Sequence, residues 1–429
     1  MATSAFSRLP GFRDFPPEDL AFRNHIFDAW RRVALRYGFL EYDGPPLESL
    51  DLYVEKSGEE IVGQLYNFVD KGDRPVALRP EMTPSLARIL GERNRAMSKP
   101  IRWFTVPQLF RYERQQRGRL REHYQWNVDI VGEDGVGADA EVLAVAIDAL
   151  RELGLGAEDF RARVSDRRLL SALLVALGVA EDRLMQAFAV IDKIERQGGE
   201  KTRERLISET GVDADAAARI VELLSESSLE GLAARFGDRP EVREELARLE
   251  EYVGILRAMG LGDFVEVDLT IVRGLAYYTG IVFELFDRKG ELRAICGGGR
   301  YDRLLELVGG DPLPAVGFGM GDVVLGELLR ERGLVPPYAR TVEYFVVVVG
   351  DGERHAALSL AHALREQGRS VAYSFKGQSV RKQFKAAEQE GAAQVVVVGP
   401  DEWARGVVMV RDMSTGAERE VPVGDLAGS

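Results

Sequence analysis

Residues 110–131 read FRYERQQRGRLREHYQWNVDIV. In the second half the odd positions Arg121, His123, Gln125, Asn127 and Asp129 are polar, while Tyr124, Trp126, Val128 and Ile130 between them are large and mostly apolar. A period of two belongs to a β-strand with one packed face and one open face. Open faces ordinarily carry Lys, Glu and Thr toward water. This one carries an imidazole, two amides and a carboxylate, beside a loop with arginine at 114, 117 and 119. The stretch reads as two strand-like arms around a cationic loop, with a face suited to hold something small, polar and anionic. Arg111 and Glu113, two apart, share a face of the first arm.

The 429-residue chain is 45% hydrophobic and 29% charged, the composition of an ordinary soluble protein of two or three domains. The apolar runs at 345–349 and 395–398 are too short to span a bilayer, and MATSAFSRLPGF has no hydrophobic leader-like core. A cytoplasmic protein without a membrane partner is expected. The single cysteine, Cys296, excludes an intramolecular disulfide and a cysteine-rich metal site, and in LRAIC it reads as a small buried hydrophobe. Four histidines at 25, 123, 355 and 362 have no metal-ligand spacing, so no metal site is expected. A net charge of −13 excludes a surface that is basic throughout, and leaves room for a local basic patch.

Working outward from 110–131, Phe22, Ile26, Trp30, Val33 and Tyr37 mark an amphipathic helix over 18–37, ended by GFLEYDGPPLESLDLY. QLYNFVD and RPVALRP read as strands joined by KGD, followed by a helix over 83–95 with Thr83 as its cap and Pro84 at its first position. A helix follows over 139–153, and 167–259 turns helical, as a small inserted subdomain would. Strand patterns return at 264–271 and 279–296, the latter folded at DRKG, before GGGRYDRLLELVGG and a glycine-rich lead, GFGMG, into a helix. The Pro336–Pro337 pair makes 331–341 a linker. Beyond it, strand 343–349, helix 353–367, strand 370–374, helix 378–390 and strand 394–398 alternate as in a compact α/β domain.

Three clusters carry chemistry. The first is the 110–131 face, whose arginines offer forked donors to phosphate oxygens and whose carboxylates accept N–H groups. The second is VRGLAYYTGIVFE (272–284), where Arg273 stands near Tyr277 and Tyr278. The third is ALRPEMTPSLARI, with Glu81 and Thr83 at a strand-to-helix junction suited to an ammonium group. Each alone is also what an ordinary solvated hairpin, a buried tyrosine pair and a helix cap look like.

Their order resembles the histidyl-tRNA synthetase family of class II aminoacyl-tRNA synthetases. GFLEYDGPPLES resembles motif 1 with Pro45 at its proline, FRYERQQRGRLREHYQ resembles motif 2, and RGLAYYTG resembles the family's histidine-specific peptide. GGGRYD with GFGMG resembles the lead into motif 3. The resemblance implies an α+β fold: a catalytic domain over 1–330, an antiparallel sheet flanked by helices, with the helical insertion at about 167–259. The linker 331–341 and an anticodon-binding α/β domain over 342–429 would follow.

The implied activity is ATP-dependent ligation of histidine to histidine tRNA through histidyl-adenylate, by a homodimer, with Mg2+ bridging ATP phosphates and no tightly bound cofactor. Carried over by position, Arg111 and Arg273 would be catalytic, gripping the α-phosphate. Glu81, Met82, Thr83, Gln125, Asp129, Tyr277 and Tyr278 would bind histidine together with those arginines. Asp129 and Tyr278 would read its imidazole. Arg111, Glu113, Arg119 and His123 would bind ATP. The tRNA would meet Arg114, Gln115, Gln116 and Arg117 in the motif 2 loop, and Lys376, Arg381, Lys382 and Lys385 in the C-terminal domain. The chain departs from the family pattern at Val324, where motif 3 carries arginine, at His123, where an aromatic stacks on adenine, at Ala276 in place of aspartate, and at Gln115 in place of proline. The missing arginine opens an alternative reading: a histidine-binding regulatory paralogue of ATP phosphoribosyltransferase, though such paralogues generally lack the C-terminal domain.

Overall fold

The computed structural model describes residues 7–57, 59–112, 118, 120–226, 228–273, 277–290, 292–303, 305–310, 312–338 and 342–427, without the side chains of 55–61, 307–308 and 427. The chain divides into two compact units, Met1–Val335 and Pro336–Ser429.

The first unit is built on a nine-stranded sheet among the described residues. Its central strand, Glu122–Val131, pairs antiparallel with Ile101–Thr105 on one side and Ala315–Gly321 on the other. Gln108–Phe110 forms the short first arm of the hairpin, with Leu109 opposite His123. Beyond Ala315–Gly321 come Cys296–Arg300, Ile281–Asp287 and Phe160–Asp166, all antiparallel. Leu40–Glu41 and Val265–Val267 close the two edges by parallel pairing. A separate small sheet joins Leu47–Ser49, Pro75–Leu78 and Asn67–Val69. The helices Pro17–Arg36 and Val136–Glu152 cover one face. Trp30 of the first stacks on Trp126 of the central strand with ring centroids 5.8 Å apart, which uses the apolar side of the alternation read in the sequence.

Helices from Arg167–Ala176 to Pro240–Ala258 make up the insertion. Asp166, Asp213 and Ser228 cap three of them, each side chain accepting a first-turn backbone N–H. The insertion shares its core with the sheet: Leu206, Leu232 and Leu256 belong to the same buried cluster as Val164, Phe283 and Phe318. Its buried residues are thus contiguous with those of the sheet within the first unit.

Several expectations shift. Phe160–Asp166 is a strand that the sequence reading passed over, and the strand expected at 264–271 is confined to Val265–Val267. The second arm of the hairpin at DRKG begins at Cys296, and Leu292 N–H donates to Asp287 (3.0 Å) between the two arms. The glycine-rich segments 296–300 and 315–321 are strands in mid-sheet. Glycine is otherwise a poor strand former, and it serves here to let other groups approach. A Cβ at Gly298 would stand 2.4 Å from the carbonyl oxygen of Gly317. Cys296 is buried, as expected, and burial raises its thiol pKa.

The second unit is a five-stranded sheet in the order Val371–Tyr373, Val342–Val348, Ala392–Val398, Val407–Asp412, Glu418–Pro422. The first three are parallel and the last two antiparallel. The continuous apolar run at 345–348 is what a strand buried on both faces requires. Phe345 and Val347 pack with Ala387 of the helix Val380–Gln389, while Val346 packs with Leu360 and Leu364 of Arg354–Glu366.

Candidate active site

The polar face of Glu122–Val131 is not open to water along its length. Asn127 and Asp129 are buried, because Tyr277, Tyr278 and Tyr301 come over that face and enclose a cavity of about 280 Å3. Register explains how polar side chains fit against a flat sheet. Asp129 lies opposite Gly317 and Gln125 opposite Gly321. A Cβ at Gly317 would sit 2.2 Å from Asp129 Oδ1, and one at Gly319 would sit 2.7 Å from Gln125 Cδ. The glycines of the neighbouring strand are the space into which these side chains lean.

Glu81 and Thr83 line the same cavity from the start of the helix Thr83–Arg93. Thr83 is the first helical residue and Met82 holds the cap position, with no side-chain cap bond. This corrects the expectation that Thr83 caps the helix; its hydroxyl is instead engaged with Tyr277. Met82, expected among the histidine-binding residues, is fully buried behind the cavity, with Cε 3.1 Å from where a Gly44 Cβ would stand and Sδ beside Arg79. It is not among the residues that line the cavity.

The Asp129 carboxyl of the cavity is strongly perturbed. Burial pushes it up to about 7, against a hydrogen bond from the Tyr301 hydroxyl that lowers it. Tyr301 was not singled out from the sequence, although GGGRYD contains it. Its ring stacks on Tyr277 at 4.9 Å. The preceding residue, Arg300, is locked in a fully buried ion pair with Asp139 of the helix Val136–Glu152 (2.6 Å). The anchored Arg300 and the ring stacked on Tyr277 together fix the Tyr301 hydroxyl.

Arg273 lies over Gly297 and pairs with Glu284 at 3.1 Å. Burial depresses the charge of this guanidinium, and nearby Tyr278 and Glu284 more than offset that, so its pKa ends above the ordinary value. Arg111 donates through Nε to the carbonyl of Pro80 (3.0 Å). Both arginines, with Gln125, also line a second, larger cleft of about 750 Å3. The two cavities therefore meet at two guanidinium groups. His123, Val324, Arg293 and Arg196 line the larger cleft only.

Below the cleft an ionic network, unannounced in the sequence, ties three segments together. Arg13 donates to Glu122 (2.6 Å) and to Asp322 (2.8 Å), and Asp322 accepts the Tyr124 backbone N–H (2.9 Å). Of the ATP- and tRNA-directed residues in the motif 2 loop, Glu113, Arg114, Gln115, Gln116, Arg117 and Arg119 lie outside the described residues, as does Ala276. Lys376, Arg381, Lys382 and Lys385 are exposed on the second unit. The helix bearing the last three is pinned by buried Gln383, whose carboxamide makes both backbone bonds of Val348. Among the described residues no cluster of His, Cys, Asp or Glu is arranged to hold a metal, and no helix is long and apolar enough to cross a membrane.

The antiparallel sheet with a polar cavity opening through paired arginines into a larger cleft is the architecture of a class II aminoacyl-tRNA synthetase. Family comparison matches residues 11–321 to the histidyl-tRNA synthetase model and residues 343–428 to the anticodon binding domain. The chain is 46% identical to the histidine–tRNA ligase of Opitutus terrae, covering 98% of this chain and 97% of that one. It is 44% identical to the chloroplastic/mitochondrial histidine–tRNA ligase of Arabidopsis thaliana, over 97% of this chain and 85% of that one. The crystal structure of histidyl-tRNA synthetase from a Nostoc species superposes with a TM-score of 0.82 at 25% identity, covering 99% of both chains. The chain belongs to the histidyl-tRNA synthetase family.

Proposed function

We propose that this protein activates histidine with ATP and transfers it to histidine tRNA. The observation that carries the reading is the junction of the two cavities at Arg111 and Arg273. The smaller has the size and polarity for an amino acid bearing a basic ring, and the larger holds room for a nucleotide. In the first step a carboxylate oxygen of histidine attacks the α-phosphorus, and the bond to the pyrophosphate oxygen breaks. Negative charge gathers on the α-phosphoryl oxygens, where Arg111 and Arg273 stand ready as fixed cations. In the second step a ribose hydroxyl at the tRNA terminus attacks the carbonyl carbon, and AMP leaves.

Glu81, Thr83 and Gln125 receive the α-ammonium group. Ionised Asp129 accepts an imidazole N–H, with Tyr301 and Tyr278 completing the hydrogen-bonding shell. A buried, paired polar site of this kind discriminates by leaving its own groups unmatched when the wrong side chain enters. His123 covers one face of the adenine. Magnesium enters with the substrate as MgATP, held chiefly by phosphate oxygens, because Glu284 and Glu195 in the cleft are already paired with Arg273 and Arg163.

For tRNA, Lys376, Arg381, Lys382 and Lys385 supply phosphate contacts. Phe375, 82% exposed at the end of strand Val371–Tyr373, supplies a stacking surface beside them. Exposed Leu40, Leu47, Phe68 and Val69 lie on or near the segment resembling motif 1 and support assembly as a homodimer through that surface. The near-full-length similarity to ligases, C-terminal domain included, speaks against the regulatory alternative. The test is transfer of labelled histidine to histidine tRNA: stable, ATP-dependent charging is expected, and adenylate formation without charging would contradict the second step.

A further inference from the structure

The larger cleft raises a question of charge. A nucleoside triphosphate brings about four negative charges, and Arg111 and Arg273 stand at the end of the cleft where it joins the smaller cavity. At the other end the first turn of the helix Asp322–Glu331 presents Val324, an apolar residue, to the cleft. The loop between strands Ile281–Asp287 and Cys296–Arg300 meets it there. A Cβ on Gly118 would lie 3.3 Å from Val324 Cγ2 and 3.7 Å from Arg293 Cδ, so both side chains reach one point above the same glycine. Arg293 is exposed to the cleft while its backbone is held on either side: Leu292 N–H donates to Asp287 (3.0 Å), and Ile295 N–H donates to the Leu285 carbonyl (2.8 Å). The anchored loop sets Arg293 on the wall of the cleft beside Val324.

We propose that Arg293 is a substrate-binding cation for adenylation, contacting the β- and γ-phosphates of ATP from the hairpin loop, in the space that a long cationic side chain at Val324 would otherwise fill. The inference rests on the reading of this cleft as the ATP site. A forked guanidinium is the group suited to two phosphate oxygens at once. Because the β- and γ-phosphates leave as pyrophosphate, the same residue grips the leaving group and binds pyrophosphate in the reverse direction.

The test is histidine-dependent ATP–pyrophosphate exchange by the full chain and its variants. Arg293→Ala is expected to raise the KM values for ATP and for pyrophosphate about tenfold or more, with histidine affinity in the absence of ATP unchanged. Arg293 is exposed, so the substitution leaves the fold intact. Adding Val324→Arg to Arg293→Ala is expected to restore most of the ATP affinity, since the two positions approach the same point. KM values within twofold of wild type for Arg293→Ala would overturn the proposal, as would a raised ATP KM with an unaltered pyrophosphate KM, or a failure of Val324→Arg to restore any ATP affinity. Absence of exchange by the wild-type protein would overturn the reading of the cleft, and the proposal with it.

Discussion

The guanidinium of Arg273 occupies the place where a side chain at Gly297 would begin: a Cβ there would lie 1.0 Å from Nη1 and 2.1 Å from Cζ. Only movement of that guanidinium relieves the overlap, so Gly297→Ala displaces the arginine. Exchange activity is expected to fall on the order of a hundredfold, as for loss of a charge aligned with the transition state. Arg273→Ala should slow adenylation by a similar factor while leaving histidine binding nearly intact. Because both act through one guanidinium, the double variant should be little worse than Arg273→Ala alone. Additive losses would show that Gly297 serves another purpose.

Asp129 sets a pH dependence. Its carboxyl is raised to about 7 by burial, so in the free protein this group's contribution to stability is full below the unfolded carboxylate range near 3.8 and is lost as pH rises through 7. Histidine binding uses the ionised form, which accepts the imidazole N–H. Affinity for histidine is therefore expected to strengthen from pH 6 to pH 8 and to level off above 8, while Asp129→Asn weakens it about ten- to a hundredfold. Titration calorimetry across that range checks both; affinity that falls with rising pH would contradict an ionised acceptor.

The Arg13 network predicts a stability effect. Glu122 and Asp322 are almost completely buried, and Arg13 is the cation between them. Arg13→Ala leaves two carboxylates facing one another away from water, at a cost of about 3 kcal/mol. Urea unfolding followed by the fluorescence of the stacked Trp30–Trp126 pair reports on the sheet concerned. A change below about 0.5 kcal/mol would mean the pair is solvated in solution.

In the second unit, Phe375 is held at the end of its strand by Arg354, whose Nη2 donates to its carbonyl (2.6 Å), and by the edge of Tyr373 at 5.4 Å. A base stacked on it contributes about 1–3 kcal/mol. Phe375→Ala should raise the KM for full-length tRNA roughly tenfold or more and leave charging of an acceptor-stem minihelix unchanged, with Phe375→Trp restoring the loss. Equal effects on both RNAs would remove the residue from anticodon-domain recognition.

Much of the fold was legible because its periodicities are local. The alternation at 121–130, the helical spacing of Phe22 to Tyr37 and the α/β pattern after Pro337 each report one face of one element. The strands that escaped are those whose side chains are absent or mixed. Residues 296–300 and 315–321 are glycine-rich because a neighbour's side chain needs the volume, and that neighbour is distant in sequence. The same reason hid the Arg13–Glu122–Asp322 network, which joins residues up to 309 positions apart, and the stacking that fixes Tyr301 over Asp129. RPEMT places Met82 between two cavity-lining residues, and only the fold shows it buried and outside the cavity lining. Arg293 gave no signal at all in LRAIC, since only the hairpin geometry brings it to Val324.

The central claim is that the small cavity holds histidine against an α-phosphate gripped by Arg111 and Arg273. Its most direct test is ATP–pyrophosphate exchange by the purified protein at millimolar MgATP with each amino acid in turn. Exchange with histidine alone is the expected result; exchange with no amino acid, or equally with several, would contradict it.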